Sequence, residues 1–543
     1  MNNILATAYS FSWLAFAFST VLWFFFKRVL LGTKIPGKLL LFSLLAYGLS
    51  FFMVHLAVDG INSLGLLFRD ALLWAGIALA AKLLAGNKSA LLLMMVGIGA
   101  GAWFKYFDYL RVSAGYVQTT GVVAQQTTTT QATATETPAL LADPDAEILF
   151  DLKRPEDLPA LAKLLAPYRV RIQKAFPEVA DVANTELDDY YTVDIPAEFE
   201  DQRDAILALI AQSDKTDDQE INESLSLDPL ELQTATAAES TPSPTPSNFF
   251  ANLLNDPYAD SLGQFQILNF KDFYTALQQV SPVKKARIAI LDTGVDANHE
   301  DLKGTYVSIA PKHDKDVAGH GTHCAGIAAA VANNGIGIAS CAGVRDWVEV
   351  TSVKVLSDFG SGTEQTIVAG ILTAADKGAD VISMSLGGPR NAASHRAYDQ
   401  AIQYANRKGA IVVVAAGNEN RAANTRLPAA SPYAITVSAV DNNGQKASFS
   451  NWFSNHQQEF GVAAPGVAIF STIPGNRYAR FNGTSMATPC VAGLVAVLKA
   501  IKPSLNTAEV YQMLYETGAE TGNTGKTGRL VQPAALLKAK GLL

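Results

Sequence analysis

The apolar positions of this chain change their spacing several times along its length. The first 107 residues hold four long apolar runs, Ile4–Phe26, Leu39–Val58, Leu64–Gly86 and Ala90–Phe107. Each approaches the roughly 20 residues that cross a bilayer as a helix. In succession, with little polar sequence between them, they would make an implausibly apolar soluble bundle. Residues 1–112 are therefore read as an all-α transmembrane region of four helices, with the lipid bilayer as a partner. The third run carries Arg69 and Asp70 near its start and Lys82 near its end, where they can snorkel to the interfaces. Lys27, Arg28, Lys34 and Lys38 place the loop after the first run in the cytoplasm. Four spans deliver the rest of the chain to the outer side, and three would leave it in the cytoplasm. Four is the expectation, which makes this an integral membrane protein with an extracytoplasmic remainder. The start MNNILATAYS lacks the basic residues of a cleaved signal peptide.

Residues 113–145 contain QTTGVVAQQTTTTQATATETPA and are too poor in apolar positions to fold; they read as a flexible linker. Residues 228–254, with LQTATAAESTPSPTPS, read the same way. Between them, 146–227 alternate in period. EILFDL predicts a strand, PEDLPALAKLLAPY a helix, RVRIQKAF and DYYTVDIP strands, EDQRDAILALIAQ a helix and EINESLSL a last strand. That βαββαβ order is a split-βαβ, ferredoxin-like α+β module.

Over 255–543 the pattern becomes α/β. The continuous apolar runs ARIAIL, TSVKVL, DVISMSL and AIVVVAA alternate with helical segments such as TEQTIVAGILTAADKG and SHRAYDQAIQYANRKG. Such runs predict a mostly parallel sheet covered by helices on both faces. Chemistry in such sheets gathers beyond the carboxyl ends of the strands.

Composition adds a constraint. Hydrophobic residues make up 49% and charged residues 17%, as a membrane portion requires. The net charge of −8 hides an asymmetry, because residues 141–240 hold 24 Asp/Glu against 8 Lys/Arg. The middle module is thus acidic by itself, and a nucleic-acid partner is not expected. Three cysteines, Cys324, Cys341 and Cys490, cannot all pair and are too few for a disulfide-built scaffold.

The strand ARIAIL ends on Asp292, ahead of Thr293-Gly294. In GHGTHCAGIAAAVA, His320 opens a helix of small residues that lets backbones approach closely. His320 and His323 stand at i and i+3, but the glutamate of a zinc motif and a third ligand are missing. AIVVVAA ends in Gly417-Asn418, where an amide can donate to an oxyanion or shape a turn. In FNGTSMATPCVAG, Ser485 heads a helix, near the positive end of its dipole, and Pro489 is expected to be tolerated in or near the first turn.

Taken in order, the blocks ILDTGVDANHEDL, GHGTHCAG, SMSLGG, AAGNEN and GTSMATP resemble the subtilisin-like serine proteases over about half of the chain. The resemblance implies a serine endopeptidase that hydrolyses peptide bonds through an acyl-enzyme. Ser485 would be the nucleophile, His320 the general base and Asp292 its orienting acid. Asn418, with the Ser485 amide, would form the oxyanion hole. Gly360, Ser361, Gly362, Ser385, Leu386, Gly387 and Gly388 would flank an extended protein or peptide substrate. No cofactor is required for the chemistry, and Asp301 with Asn334 matches a structural calcium site. The 146–227 module stands where the family carries an inhibitory propeptide, so the chain's own module becomes a partner and the protein a self-inhibited zymogen. Arg426, ahead of Leu427-Pro428, is read as facing solvent; pointed inward, it would favour acidic side chains at the cleaved position. Cys490 replaces the family's histidine, and Cys324 follows the His320 motif as in thiol-bearing members. The competing reading is a catalytically silent membrane receptor or scaffold that uses the protease fold for binding.

Overall fold

The structure is a computed structural model that describes residues 146–543, apart from 178–184, 186, 228–249, 251–252, 344–345, 391–395, 455–459, 540–541 and 543. The four apolar runs and the 113–145 linker lie outside the described residues. Among the described residues one helix, Thr484–Ile501, is long and apolar enough to cross a membrane, and it is the buried core helix of the α/β part.

The middle module is built from β1 (Ile148–Leu152), α1 (Leu158–Leu165), β2 (Arg171–Lys174), β3 (Tyr190–Asp194), α2 (Arg203–Gln212) and β4 (Thr216–Ile221). Its sheet runs in the order β2-β3-β1-β4 with every pairing antiparallel. All five residues of β1 are buried because both faces are covered. Ile148, Phe150 and Leu152 meet Leu161, Leu165, Ile206 and Ile210 of the module's own helices. Leu149, between them in sequence, points the other way into the core of the α/β part, as does Tyr190.

One expectation needs correction here. The last strand of this sheet is Thr216–Ile221, the polar stretch TDDQEI, and not EINESLSL. As an edge strand it tolerates charge that a central strand would reject, so its apolar pattern is faint. The predicted residues instead supply β5 (Ser224–Ser226), which leaves the module and pairs antiparallel with β8 (Ser361–Thr363).

The α/β part carries β6 (Ala286–Asp292), β7 (Val348–Lys354), β9 (Val381–Met384), β10 (Gly388–Pro389), β11 (Ile411–Ala415), β12 (Arg426–Leu427), β13 (Ile435–Val440), β14 (Gly461–Pro465), the hairpin β15–β16 (Ile469–Ile473, Arg477–Phe481) and β17 (Arg529–Leu530). Seven of these form one sheet in the order β17-β14-β13-β11-β9-β6-β7, with all pairings parallel. Alternate residues face opposite layers: Ile288 and Ile290 join one core, Ala289 and Leu291 the other. The first layer holds α3 (His320–Ala329) and α6 (Thr484–Ile501). The second holds α4 (Glu364–Asp376) and α5 (Arg396–Arg407), and the module docks on that side. The core begins earlier in the chain than residue 255, since Phe250 is already 2% exposed within it. Because the strands run parallel, the ends of β6, β9 and β11 open at one edge, and the predicted site residues follow them.

Candidate active site

Asp292 is the last residue of β6 and is fully buried. Both of its carboxylate oxygens face the Nδ1 of His320, at 2.8 and 2.9 Å, so Nδ1 carries the proton and Nε2 points away as the basic atom. The helix start that delivers His320 is held by Asp316, which accepts from the Gly319 and Thr322 amides and from the Thr293 and Thr322 hydroxyls. Gly321 must lack a side chain, because a Cβ there would meet the Gly294 carbonyl and lie 3.1 Å from the Asp292 Cβ. Burial by itself would push the His320 imidazole down, but the Asp292 carboxylate outweighs it and holds the ring well above its ordinary value. That favours the imidazolium that proton abstraction from a serine would create.

His323 behaves differently. Buried and stacked 4.2 Å from the Phe481 ring, it donates from Nε2 to the Ala479 carbonyl at 3.0 Å, and burial pushes it down to about 3. It is a neutral core residue, and it does not combine with His320 into a metal pair. Asp292, His320 and Cys324 do offer ligand atoms within 4.8 Å of one another. The two hydrogen bonds of His320 to Asp292 occupy that space, and burial pushes the Cys324 thiol up, away from the thiolate a metal needs.

Ser485 is the second residue of α6, after Gly483 at φ 151°. Its hydroxyl donates to the Ser385 carbonyl at 3.3 Å, and His320 Nε2 has no hydrogen-bond partner. Cys324 connects the two, with its sulfur 4.0 Å from His320 Nδ1 and 3.5 Å from the Ser485 carbonyl oxygen. Pro489 is the sixth residue of α6, just past the first turn. With no N–H, it cannot bond the carbonyl four residues back, which is that of Ser485. The Ser385 hydroxyl donates to this carbonyl at 2.8 Å and the Cys324 thiol at 3.5 Å, and together they replace the missing bond. Sequence reading gave no role to Cys324 as a donor, and the signal was available in the proline four residues after the serine.

Asn418 follows β11, and its Oδ1 accepts from the Thr484 amide at 2.8 Å and the Thr484 hydroxyl at 3.0 Å. A Cβ added at Gly483 would lie 3.5 Å from the Ser485 amide nitrogen and 3.6 Å from Asn418 Nδ2, so both nitrogens border the same small space beside Gly483. Thr484 and Asn451 were missed from sequence. Thr484 also accepts from the Gly417 amide at 3.1 Å, and buried Asn451 holds the turn by accepting from the Glu419 and Arg421 amides.

The predicted flanking residues meet beside this site. Gly360 accepts from the Leu227 amide at 2.8 Å, and Ser361 and Gly362 lie in β8, paired with β5. Leu225 packs on Gly388, where a Cβ would come within 2.5 Å of it. Leu227, Ser385, Leu386, Gly387, Asn418 and Ser485 border one small hollow. Arg426 corrects an expectation: its side chain is 13% exposed, lines the same hollow and pairs with Glu419 at 2.7 Å. The inward cation therefore comes already matched by a carboxylate. Further off, Asn334 Nδ2 donates to Asp301 Oδ1 at 2.8 Å, and the Ile338 amide donates to Asp301 Oδ2 at 2.8 Å.

Comparison with known proteins follows this geometry. A sequence model described as Peptidase S8, Subtilase family, matches residues 284–532. Thermitase of Thermoactinomyces vulgaris is 47% identical over 218 residues, spanning 39% of this chain and 74% of thermitase. Subtilisin DY of Bacillus licheniformis is 40% identical over 250 residues, spanning 45% of this chain and 87% of the relative. The chain belongs to the subtilase family. A solved protease structure from Pseudoalteromonas arctica PAMC 21717 is 28% identical at TM-score 0.46, covering 53% of this chain and 99% of that one. As a subtilase the protein is a subtilisin-type serine peptidase with the α/β fold described above.

A donor in the position that the resemblance implies for Asn418 would stabilise the charge that develops on a substrate oxygen. Asn418→Ala is expected to lower kcat by about 10²–10³-fold. KM should change little; equal loss in KM, read on a peptide substrate, would assign Asn418 to binding instead.

Proposed function

We propose that this subtilase is a membrane-anchored serine endopeptidase made as a self-inhibited zymogen, with its catalytic domain outside the cytoplasm. The single observation that carries the inhibited state is the path of 222–227. These residues enter the site as an added strand: Leu225 pairs with Gly362, the Leu227 amide binds the Gly360 carbonyl, and Leu227 borders the hollow of Ser485 and Asn418. The anchor rests on the four apolar runs and the positive loop after the first of them.

The chemistry would run as follows. Rotation about the Ser485 Cα–Cβ bond takes the hydroxyl from Ser385 O to His320 Nε2, which accepts its proton as the oxygen attacks the scissile carbonyl. Asp292 holds the imidazolium through Nδ1. Asn418 Nδ2 and the Ser485 amide donate to the oxyanion. The intermediate collapses to the Ser485 ester as Nε2 returns the proton to the leaving amine, and water then hydrolyses the ester by the reverse proton path.

Self-cleavage would fall in residues 228–249, just beyond the strand that lies in the cleft. The anchor and the 146–227 module both precede that segment, so the cut would also detach the catalytic domain from the membrane. In the full chain a fluorophosphonate is expected to label Ser485, and a fragment starting within 228–249 should appear in the soluble fraction. Ser485→Ala should remain whole and membrane-bound. A mature, folded sample that never labels would return the silent-scaffold reading, and clipping of Ser485→Ala with no other protease present would remove self-processing.

Release of the module should depend on pH. Glu220 of β4 and Glu364 at the start of α4 are 3% and 1% exposed, and both Glu220 oxygens and Glu364 Oε1 lack hydrogen-bond partners. Burial pushes both carboxyls far up, with Glu364, Asp218 and Glu223 adding to the rise of Glu220, and Asp218 and Glu223 to that of Glu364. The other groups that feel these carboxyls are Tyr398, beside both, and Tyr190, beside Glu220, and burial holds both phenols neutral. Both glutamic acids are thus protonated while docked and ionise on separation. A pKa raised in the docked state favours docking at low pH, and this is lost as pH rises above the ordinary carboxylate range. Release of the cut catalytic domain from membranes should rise between pH 5 and pH 9, by up to about tenfold in affinity per pH unit for each proton lost. The Glu220→Gln, Glu364→Gln pair should flatten the profile; an unchanged slope would assign the dependence elsewhere.

The structural calcium site is proposed on the 333–338 loop. Asp256 and Asp301 are buried there, and burial pushes them up to about 6 and about 7. Oxygen donors that dense suit calcium, which would take Asp301 and, after its amide turned over, Asn334. Chelation by EGTA is expected to lower the thermal midpoint, and Asp301→Asn should remove that sensitivity. A midpoint indifferent to EGTA and added calcium would rule the ion out.

A further inference from the structure

Among the 543 residues there are three cysteines, and two of them touch. Cys341 and Cys490 stand 149 positions apart, yet their sulfurs lie 2.7 Å from each other. Both are buried, at 0% and 1% exposure. Two residues of so rare a type would seldom meet by chance in a core of this size. Cys324, the third, has its own task on the Ser485 carbonyl and takes no part in the contact.

The surroundings bring the two backbones close. The Cys341 amide donates to Ile327 O at 2.9 Å and the Ala342 amide to Ala328 O at 3.2 Å, so 341–342 are strapped to the last turn of α3. Cys490 is on α6, one turn ahead of Gly493. A Cβ at Gly493 would lie 2.8 Å from Ala328 O and 3.2 Å from the Cys341 carbonyl carbon, so α6 rests directly on that strap. The pair therefore sits where the helix of His320 and the helix of Ser485 press together.

We propose that Cys341 and Cys490 form a disulfide that fastens the strap of α3 to α6. This rests on the extracytoplasmic placement of the catalytic domain, since disulfides persist in oxidising compartments. The reaction is exchange with a disulfide-bearing oxidant. One cysteine thiolate attacks the oxidant's disulfide and expels its first thiol. The second cysteine then attacks the mixed disulfide and expels the other, so two thiols become one S–S bond and the oxidant becomes a dithiol. Burial pushes the Cys341 thiol well up, so little thiolate exists in the folded core. Exchange must precede the closure of α6 on α3, and afterwards the bond is shielded from reductant until the core opens.

The test uses the full chain from membranes, with thiols blocked by N-ethylmaleimide at lysis and again in denaturant without reductant. Peptide mapping should find Cys341 joined to Cys490 and only Cys324 blocked. Three blocked cysteines would overturn the proposal, and would do so without touching the peptidase reading, which the fluorophosphonate label tests separately. As a second measurement, a reductant that can reach the opened core should lower the thermal midpoint by about 5–15 °C. The Cys341→Ala, Cys490→Ala double variant should not respond, and an equal fall in both proteins would count against the bond.

Discussion

The carbonyl of Ser485 is the point on which the site depends. Pro489 removes the helical hydrogen bond that would satisfy it, a change that costs about 3 kcal/mol in an ordinary helix interior. A buried carbonyl left alone would cost a further 1–3 kcal/mol, roughly. Here the Ser385 hydroxyl and the Cys324 thiol both donate to it. Ser385 comes from the end of β9 and Cys324 from the helix of His320, so the proline's deficit is made good only when three elements meet. The arrangement fixes Ser485 relative to the helix of His320 through its backbone carbonyl and leaves the Ser485 hydroxyl and His320 Nε2 out of that link. It also explains a cysteine beside the site that holds its proton.

The same economy of placement governs the loops. Thr484 receives the Gly417 amide and gives its own amide and hydroxyl to Asn418, so one residue sets the orientation of the amide beside Ser485. Asp316 does this for His320 by gathering donors from both sides of the helix start. These groups lie behind Asp292, His320 and Ser485, and their hydrogen bonds hold rotamers that packing alone would leave free.

Much of this was legible in the chain. The strands of the parallel sheet announced themselves as unbroken apolar runs, because burial on both faces removes alternation. Asp292, His320, Asn418 and Ser485 could be singled out because each stood at the end of such a run or the start of a small-residue helix, and the structure brings them to one edge. The misses have physical reasons. TDDQEI was overlooked since an edge strand can be polar, and SLSL looked like a strand of the wrong sheet because pairing partners are invisible in sequence. Arg426 read as a surface residue because its counter-charge, Glu419, reaches it only through the fold. Pro489 looked harmless because the carbonyl it releases has a partner 100 residues away.

Module order adds a constraint that no single residue shows. The strand Ser224–Ser226 that pairs with Ser361–Thr363 belongs to the same chain, which makes its binding intramolecular, and under the zymogen proposal a modest intrinsic affinity would suffice to keep the site covered. Under the zymogen proposal, a cut within residues 228–249 would remove that advantage and leave only the docked surface. That surface contains Leu149, Tyr190 and Leu225 against the α4 and α5 layer, but also the carboxyl groups of Glu220 and Glu364, which burial pushes up toward their neutral forms. An interface that was purely apolar would hold the module after cleavage. Burying both oxygens of Glu220 and Oε1 of Glu364 without hydrogen-bond partners weakens this surface, so that under the proposal it would hold while the link is whole and loosen once it is cut. On the proposed zymogen reading, inhibition, anchoring and release would all turn on one stretch of chain.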